Sequence, residues 1–162
     1  MGLLTPAQLA TVKANILASP DLASQPPGPD GAVAIERLYN LPSSPAFVVY
    51  RTLVALFEIG GAINGSELAG LTTGNLTRLQ TIATFLADGV NPSKPDARQF
   101  FTDVFSGAGG TNTRSGLDAL WKRTATRFER LFATGTGTTA VPGSLTWEGP
   151  ISYRDIQEAR ES

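Results

Sequence analysis

The chain has 162 residues, 41% of them apolar and 17% charged, a length that fits one ordinary domain with its own core. Its 13 basic and 14 acidic side chains leave a net charge of −1, which excludes a protein that coats nucleic acid or an acidic membrane with its whole surface. Cysteine and histidine are both absent, so disulfides, thiolate metal sites, thiol nucleophiles and histidine-dependent triads are excluded too.

The stretch Met1 to Pro6 lacks a basic segment followed by an apolar one, and no apolar run approaches the roughly 18 residues of a membrane span. The expectation is a protein made and used in solution, without a membrane partner. Thr5 as N-cap, Pro6 at the first helical position, and Leu9, Val12 and Ile16 at helical spacing predict a helix ending near Ser19. Ser19-Pro20 repeats the signal for a single turn, and the prolines from Pro26 to Pro29 then forbid regular structure. Asp30 is expected to cap a second helix carrying Val33, Ile35, Leu38 and Tyr39, closed by Pro42.

Residues Ala46 to Phe57 combine the β-branched and aromatic content of a buried strand with a Ser44-Pro45 helix start, and their length favours a buried helix. After Gly60-Gly61 and Asn64-Gly65, Ser66 caps a short turn. Thr73 then opens a helix whose stripe of Leu76, Leu79, Ile82, Ala83 and Leu86 suggests the centre of the domain. Past Asn91-Pro92-Ser93, Phe100, Phe101, Val104 and Phe105 give the next helix an aromatic face. Leu117, Leu120, Trp121, Thr124, Phe128, Leu131 and Phe132 keep three-four spacing, which predicts one long helix of about four turns.

The run from Ala133 to Thr139 is rich in glycine and threonine and reads as an extended linker. Residues Ser144 to Trp147 fit a short strand, and Ser152 with Asp155 resembles a capping box opening a short charged helix. The fold class is therefore mainly α: a compact multi-helix bundle over residues 1–133, followed by an extended C-terminal arm over 134–162.

Acid-base chemistry would have to use carboxylates, lysines or tyrosines. Asp96 and Asp103 lie seven residues apart, two turns or about 10 Å along a helix, and read as solvated charges rather than a catalytic pair. The junction from Gly107 to Arg114 could offer amides to a phosphate, but it lacks the lysine-hydroxyl ending of a P-loop and reads as a turn into a capped helix. Neither catalytic residue, cofactor nor metal ligand is expected, and the chain is expected not to be an enzyme.

Arg114, Lys122, Arg123, Arg127 and Arg130 make 114–130 the most basic stretch, suited to an acidic protein partner or, as the alternative, to a nucleic-acid backbone. The tail carries the opposite sign through Glu148, Asp155, Glu158 and Glu161, so basic helix and acidic tail could join neighbouring copies in a ring. Trp147, Tyr153 and Ile156 are apolar anchors beyond the linker, fit either to fold back or to reach a neighbour. The candidate partner contacts are thus Trp147, Tyr153, Ile156, Arg123, Arg127 and Arg130.

These residues also carry a resemblance. The opening Leu4-Thr5-Pro6-Ala7-Gln8-Leu9, Asp30-Gly31-Ala32 and Asn91-Pro92-Ser93 take part in it. So do Lys122-Arg123-x-Ala125-Thr126-Arg127-x-Glu129 with the following Leu131 to Thr138, then Leu145-Thr146-x-Glu148-Gly149 and Ser152-Tyr153-x-Asp155. Together they resemble a family of small proteins encoded in the structural-gene regions of tailed bacteriophages and prophages, over nearly the whole chain and most densely after residue 117. The resemblance implies a virion or assembly role for a protein made in the host cytoplasm, a homo-oligomer contacting portal or tail components. By architecture alone the chain is similar in kind to head-tail adaptors, and tail-associated, neck and minor capsid roles stay open.

Overall fold

The computed structural model describes residues 4–85 and 88–162. The chain is mainly helical, with two small two-stranded sheets among the described residues. It divides into two compact units, one built from residues up to Val48 together with Thr124–Ser162, the other from Val49–Arg123. This is a different division from the expected domain over 1–133 with an arm over 134–162, because the C-terminal segment supplies part of the first unit's core.

In the first unit, α1 (Pro6–Ala18) starts where the sequence predicts: Thr5 and Gln8 form a reciprocal capping box ahead of a proline. After α2 (Pro20–Ala23), α3 (Pro29–Tyr39) begins earlier than expected, with Gly28 as N-cap and Asp30 in its first turn. Further along the chain come α9 (Arg127–Arg130), strands β3 (Ala133–Thr134) and β4 (Ser144–Leu145), and α10 (Tyr153–Glu161). Leu9, Val12 and Ile16 of α1 meet Ala32, Ile35 and Tyr39 of α3, Phe128 of α9, and Ile151, Ile156 and Ala159 in one buried cluster. Helix α10 packs against both α1 and α3. Arg160 fixes it by donating to the carbonyls of Pro26 at 2.9 Å and Gln25 at 3.4 Å.

The glycine-threonine run is not a free linker. β3 and β4 pair antiparallel, Ala133 opposite Leu145 and Thr134 opposite Ser144. The hairpin closes over Phe47: Val48 donates to the Gly137 carbonyl at 2.7 Å and accepts from the Gly143 amide at 2.8 Å. Gly137 has φ +64°, and a Cβ there would collide with the Phe47 ring, so glycine is required twice over.

In the second unit, α4 (Leu56–Ala62), α5 (Gly65–Ala69), α6 (Thr73–Phe85), α7 (Pro95–Val104) and α8 (Thr111–Leu120) surround a cluster of Val54, Ile59, Val90, Phe101, Val104, Phe105, Leu117 and Trp121. The helix expected over Ala46 to Phe57 is not formed. Its first part is strand β1 (Val48–Tyr50), paired with β2 (Lys122–Thr124), and only Leu56 onward is helical. The β-branched residues decide locally, with Val54 making a further antiparallel bridge to Val90.

Two further expectations are corrected. The long helix over 114–132 is three pieces, α8, β2 and α9, with Leu117 and Trp121 in one core and Phe128 in the other. The break follows from a second start signal inside the pattern, since Thr126 and Glu129 form a complete capping box. Helix α6 is not central either: Leu76 is exposed, Leu79 and Ile82 are half-buried, and Leu86 lies outside the described residues.

Candidate interaction surfaces

Two amides in the first turn of α8, just after the glycine-rich run, are already occupied. Glu67 on α5 accepts from Asn112 N at 2.9 Å and Thr113 N at 2.7 Å, a carboxylate held on a helix N-terminus. Burial works against its ionised form, but the hydrogen bonds from Thr113 and Asn112 and the charge of Arg114 outweigh it and hold the carboxyl below its ordinary range. Arg114 itself donates to the carbonyls of Phe105 and Gly107. This junction caps and fastens; a phosphate would have to displace Glu67. Asp96 sits in the first turn of α7, and Asp103 accepts from Gln99 at 2.7 Å on the same exposed face.

The basic residues of 114–130 do not share a helix face. Arg114 is on α8, Lys122 and Arg123 on β2, and Arg127 and Arg130 on α9. Lys122 pairs with Asp118 at 2.6 Å. Arg123 is half-buried in the second unit and also has a partner. In the first unit, Arg127 forms a bidentate pair with Asp21, with Nη2 donating to Oδ1 at 3.0 Å, and its guanidinium lies 5.9 Å from the Tyr39 ring centre. The hydrogen bond to Asp21 raises the Arg127 pKa and lowers that of Asp21. Arg130 donates to the Pro45 carbonyl at 3.0 Å and lies over the Phe47 ring.

Those two arginines, with Asn15, Ser43, Ser44 and Leu131, line a cleft of about 260 Å³ in the first unit. The Ser43 hydroxyl accepts from the Phe47 amide at 3.0 Å, and Asn15 Oδ1 accepts from the Tyr39 hydroxyl at 2.9 Å, so both side chains are held in place. Every polar side chain lining the cleft can donate a hydrogen bond, and none is a carboxylate.

The apolar anchors fare differently from one another. Ile156 is fully buried in its own unit, so its expected role as a partner contact is corrected to that of a core residue. Trp147 packs its ring edge-on against Phe128 at 6.2 Å, and its indole nitrogen is buried without an acceptor among the described residues. Tyr153 is exposed, with its hydroxyl accepting from Arg154 Nε at 3.2 Å.

Among the described residues, the most exposed large apolar side chains of the second unit lie where the sequence suggests a buried helix. Phe57 is 80% exposed and Leu53 is 59% exposed. In the same unit, Leu56, Ile59 and Ile63 of the α4 region and Leu79 and Ile82 of α6 line a groove of about 170 Å³. The signal for Phe57 is present in the sequence: once Leu56 and Ile59 face inward on a helix, the residue that follows Leu56 points away from that face.

Among the described residues no group of three or more acidic side chains is placed to hold a metal ion, and no helix is long and apolar enough to cross a membrane. The chain matches no family model, no curated protein and no solved structure.

Proposed function

We propose that this protein is a structural component of a tailed-phage virion, acting by self-association and docking rather than by catalysis. Its specific form is a head-tail adaptor, present in the virion after synthesis in the host cytoplasm and in contact with portal or tail components. Tail-associated and minor capsid positions are the alternatives within the same reading. The family resemblance supplies the virion setting, and the lack of histidine and cysteine removes the commonest catalytic groups.

The observation that most supports self-association is that one unit carries both an exposed Phe57 and an apolar groove. A large aromatic held in solvent costs solubility, whereas buried against a partner it can anchor an interface. A second copy is the natural occupant, since it carries both the knob and the groove. An isologous contact needs that self-complementarity.

The test is the mass of purified wild type and Phe57→Ser by light scattering across a concentration series. The wild type is expected at a defined multiple of 17.0 kDa, and the variant at lower mass with an unchanged circular dichroism spectrum. Equal masses would remove Phe57 from the interface. The virion setting is tested separately by mass spectrometry of purified phage particles, in which peptides of this chain are expected.

A further inference from the structure

We propose that the cleft formed by Arg127 and Arg130 receives the carboxylates of Glu158 and Glu161 from a second copy of this chain. The inference rests on self-association and names a contact surface different from the Phe57 face.

Every polar side chain lining the cleft can donate a hydrogen bond, and none carries a negative charge. Arg130 is exposed and spends one nitrogen on the Pro45 carbonyl, leaving the rest of its guanidinium available. Arg127 is held through its two terminal nitrogens by Asp21, so it contributes mainly positive potential and its remaining Nε. Asn15 and Ser43 are anchored by Tyr39 and Phe47, so the pocket is organised before any ligand arrives.

The acidic counterpart is on α10. That helix buries Asp155, Ile156 and Ala159 and turns Glu158 and Glu161 outward. Among the described residues none pairs with the Glu158 side chain, and Glu161 accepts only from Gln157 at 2.9 Å. Arg154 is the cation on this face, and it is engaged by the Tyr153 hydroxyl. Glu158 and Glu161 are three residues apart on a helix, as are Arg127 and Arg130, so each pair lies about 5–6 Å apart between Cβ atoms and the two pairs match in spacing.

Size and charge select the occupant. A cleft of about 260 Å³ with two guanidiniums, one already paired, accommodates one or two carboxylates and not a run of phosphates. A net charge of −1 also disfavours nucleic acid over an acidic protein surface. Because exposed ion pairs contribute little each, this contact chiefly sets orientation, and it weakens as salt rises.

The experiment is sedimentation velocity at low salt on the full chain as wild type, Arg130→Glu, Glu158→Lys, an equimolar mixture of the two variants, and the double variant. Each single variant is expected to dissociate at about tenfold higher concentration than wild type, a loss typical of one reversed charge pair at an interface. The mixture and the double variant should both recover, since the introduced carboxylate and the introduced ammonium then pair in the swapped sense. The two single substitutions lie on different helices, so misfolding of one leaves the other as a readout, and circular dichroism reports it. Single variants that associate like wild type would overturn the proposal while leaving self-association intact. Loss without recovery would overturn it as well, and a wild type monomeric at every concentration would remove both readings.

Discussion

The side-chain amide of Asn40 grips both backbone groups of Ile151, 111 residues further along the chain: Nδ2 donates to the Ile151 carbonyl at 3.0 Å, and Oδ1 accepts from the Ile151 amide at 3.1 Å. It acts as a one-residue strand, and it seats Ile151 in the core just before α10 begins. Replacing Asn40 by Ala strands a partly buried donor and acceptor together. The expected loss is about 1–3 kcal/mol by urea unfolding, whereas a loss near zero would mean that water replaces the amide without cost.

Removing residues 150–162 is expected to unfold the first unit rather than trim an arm. The deletion takes Ile151, Ile156 and Ala159 from the core. Each buried isoleucine accounts for about 2–5 kcal/mol, against a total stability of about 5–15 kcal/mol for a typical domain. Loss of cooperative melting and of helical signal beyond the nine residues of α10 is the expected result by circular dichroism.

Acid should weaken the cap that Glu67 places on α8. Its folded-state pKa lies below the ordinary value of 4.5, so its contribution is complete above that value and is lost as pH falls through the depressed folded one. Thermal melts of wild type and Glu67→Gln are expected to differ near neutrality, with wild type higher, and to converge in acid. A gap that persists in acid would show that charge is not what Glu67 contributes.

Trp121 is 3% exposed and Phe128 fully buried, each in its own unit's core. Truncating either to Ala is expected to cost roughly 3–5 kcal/mol, measured by chemical denaturation. Less than about 1 kcal/mol at either position would contradict the burial described for it.

Helix starts are the most legible part of the fold. Thr5 caps α1, and Ser152 with Asp155 closes as a capping box, where the sequence places them. Periodicity misleads where it runs across such punctuation. The spacing from Leu117 to Phe132 passes through the Thr126–Glu129 capping box, and the box marks the true start. The glycines near Gly137 read as slack, whereas they admit Phe47, a contact so distant in the chain that no local pattern reveals it. The same holds for the cleft: Arg127 and Arg130 stand out by charge, but Asn15, Ser43 and Ser44 join them only through tertiary folding.

Self-association is the central claim, and sedimentation velocity of the unmodified chain from low to high micromolar concentration tests it most directly. The predicted result is a fixed multiple of 17.0 kDa at the high end of that range, dissociating on dilution. A monomer throughout the range would contradict it.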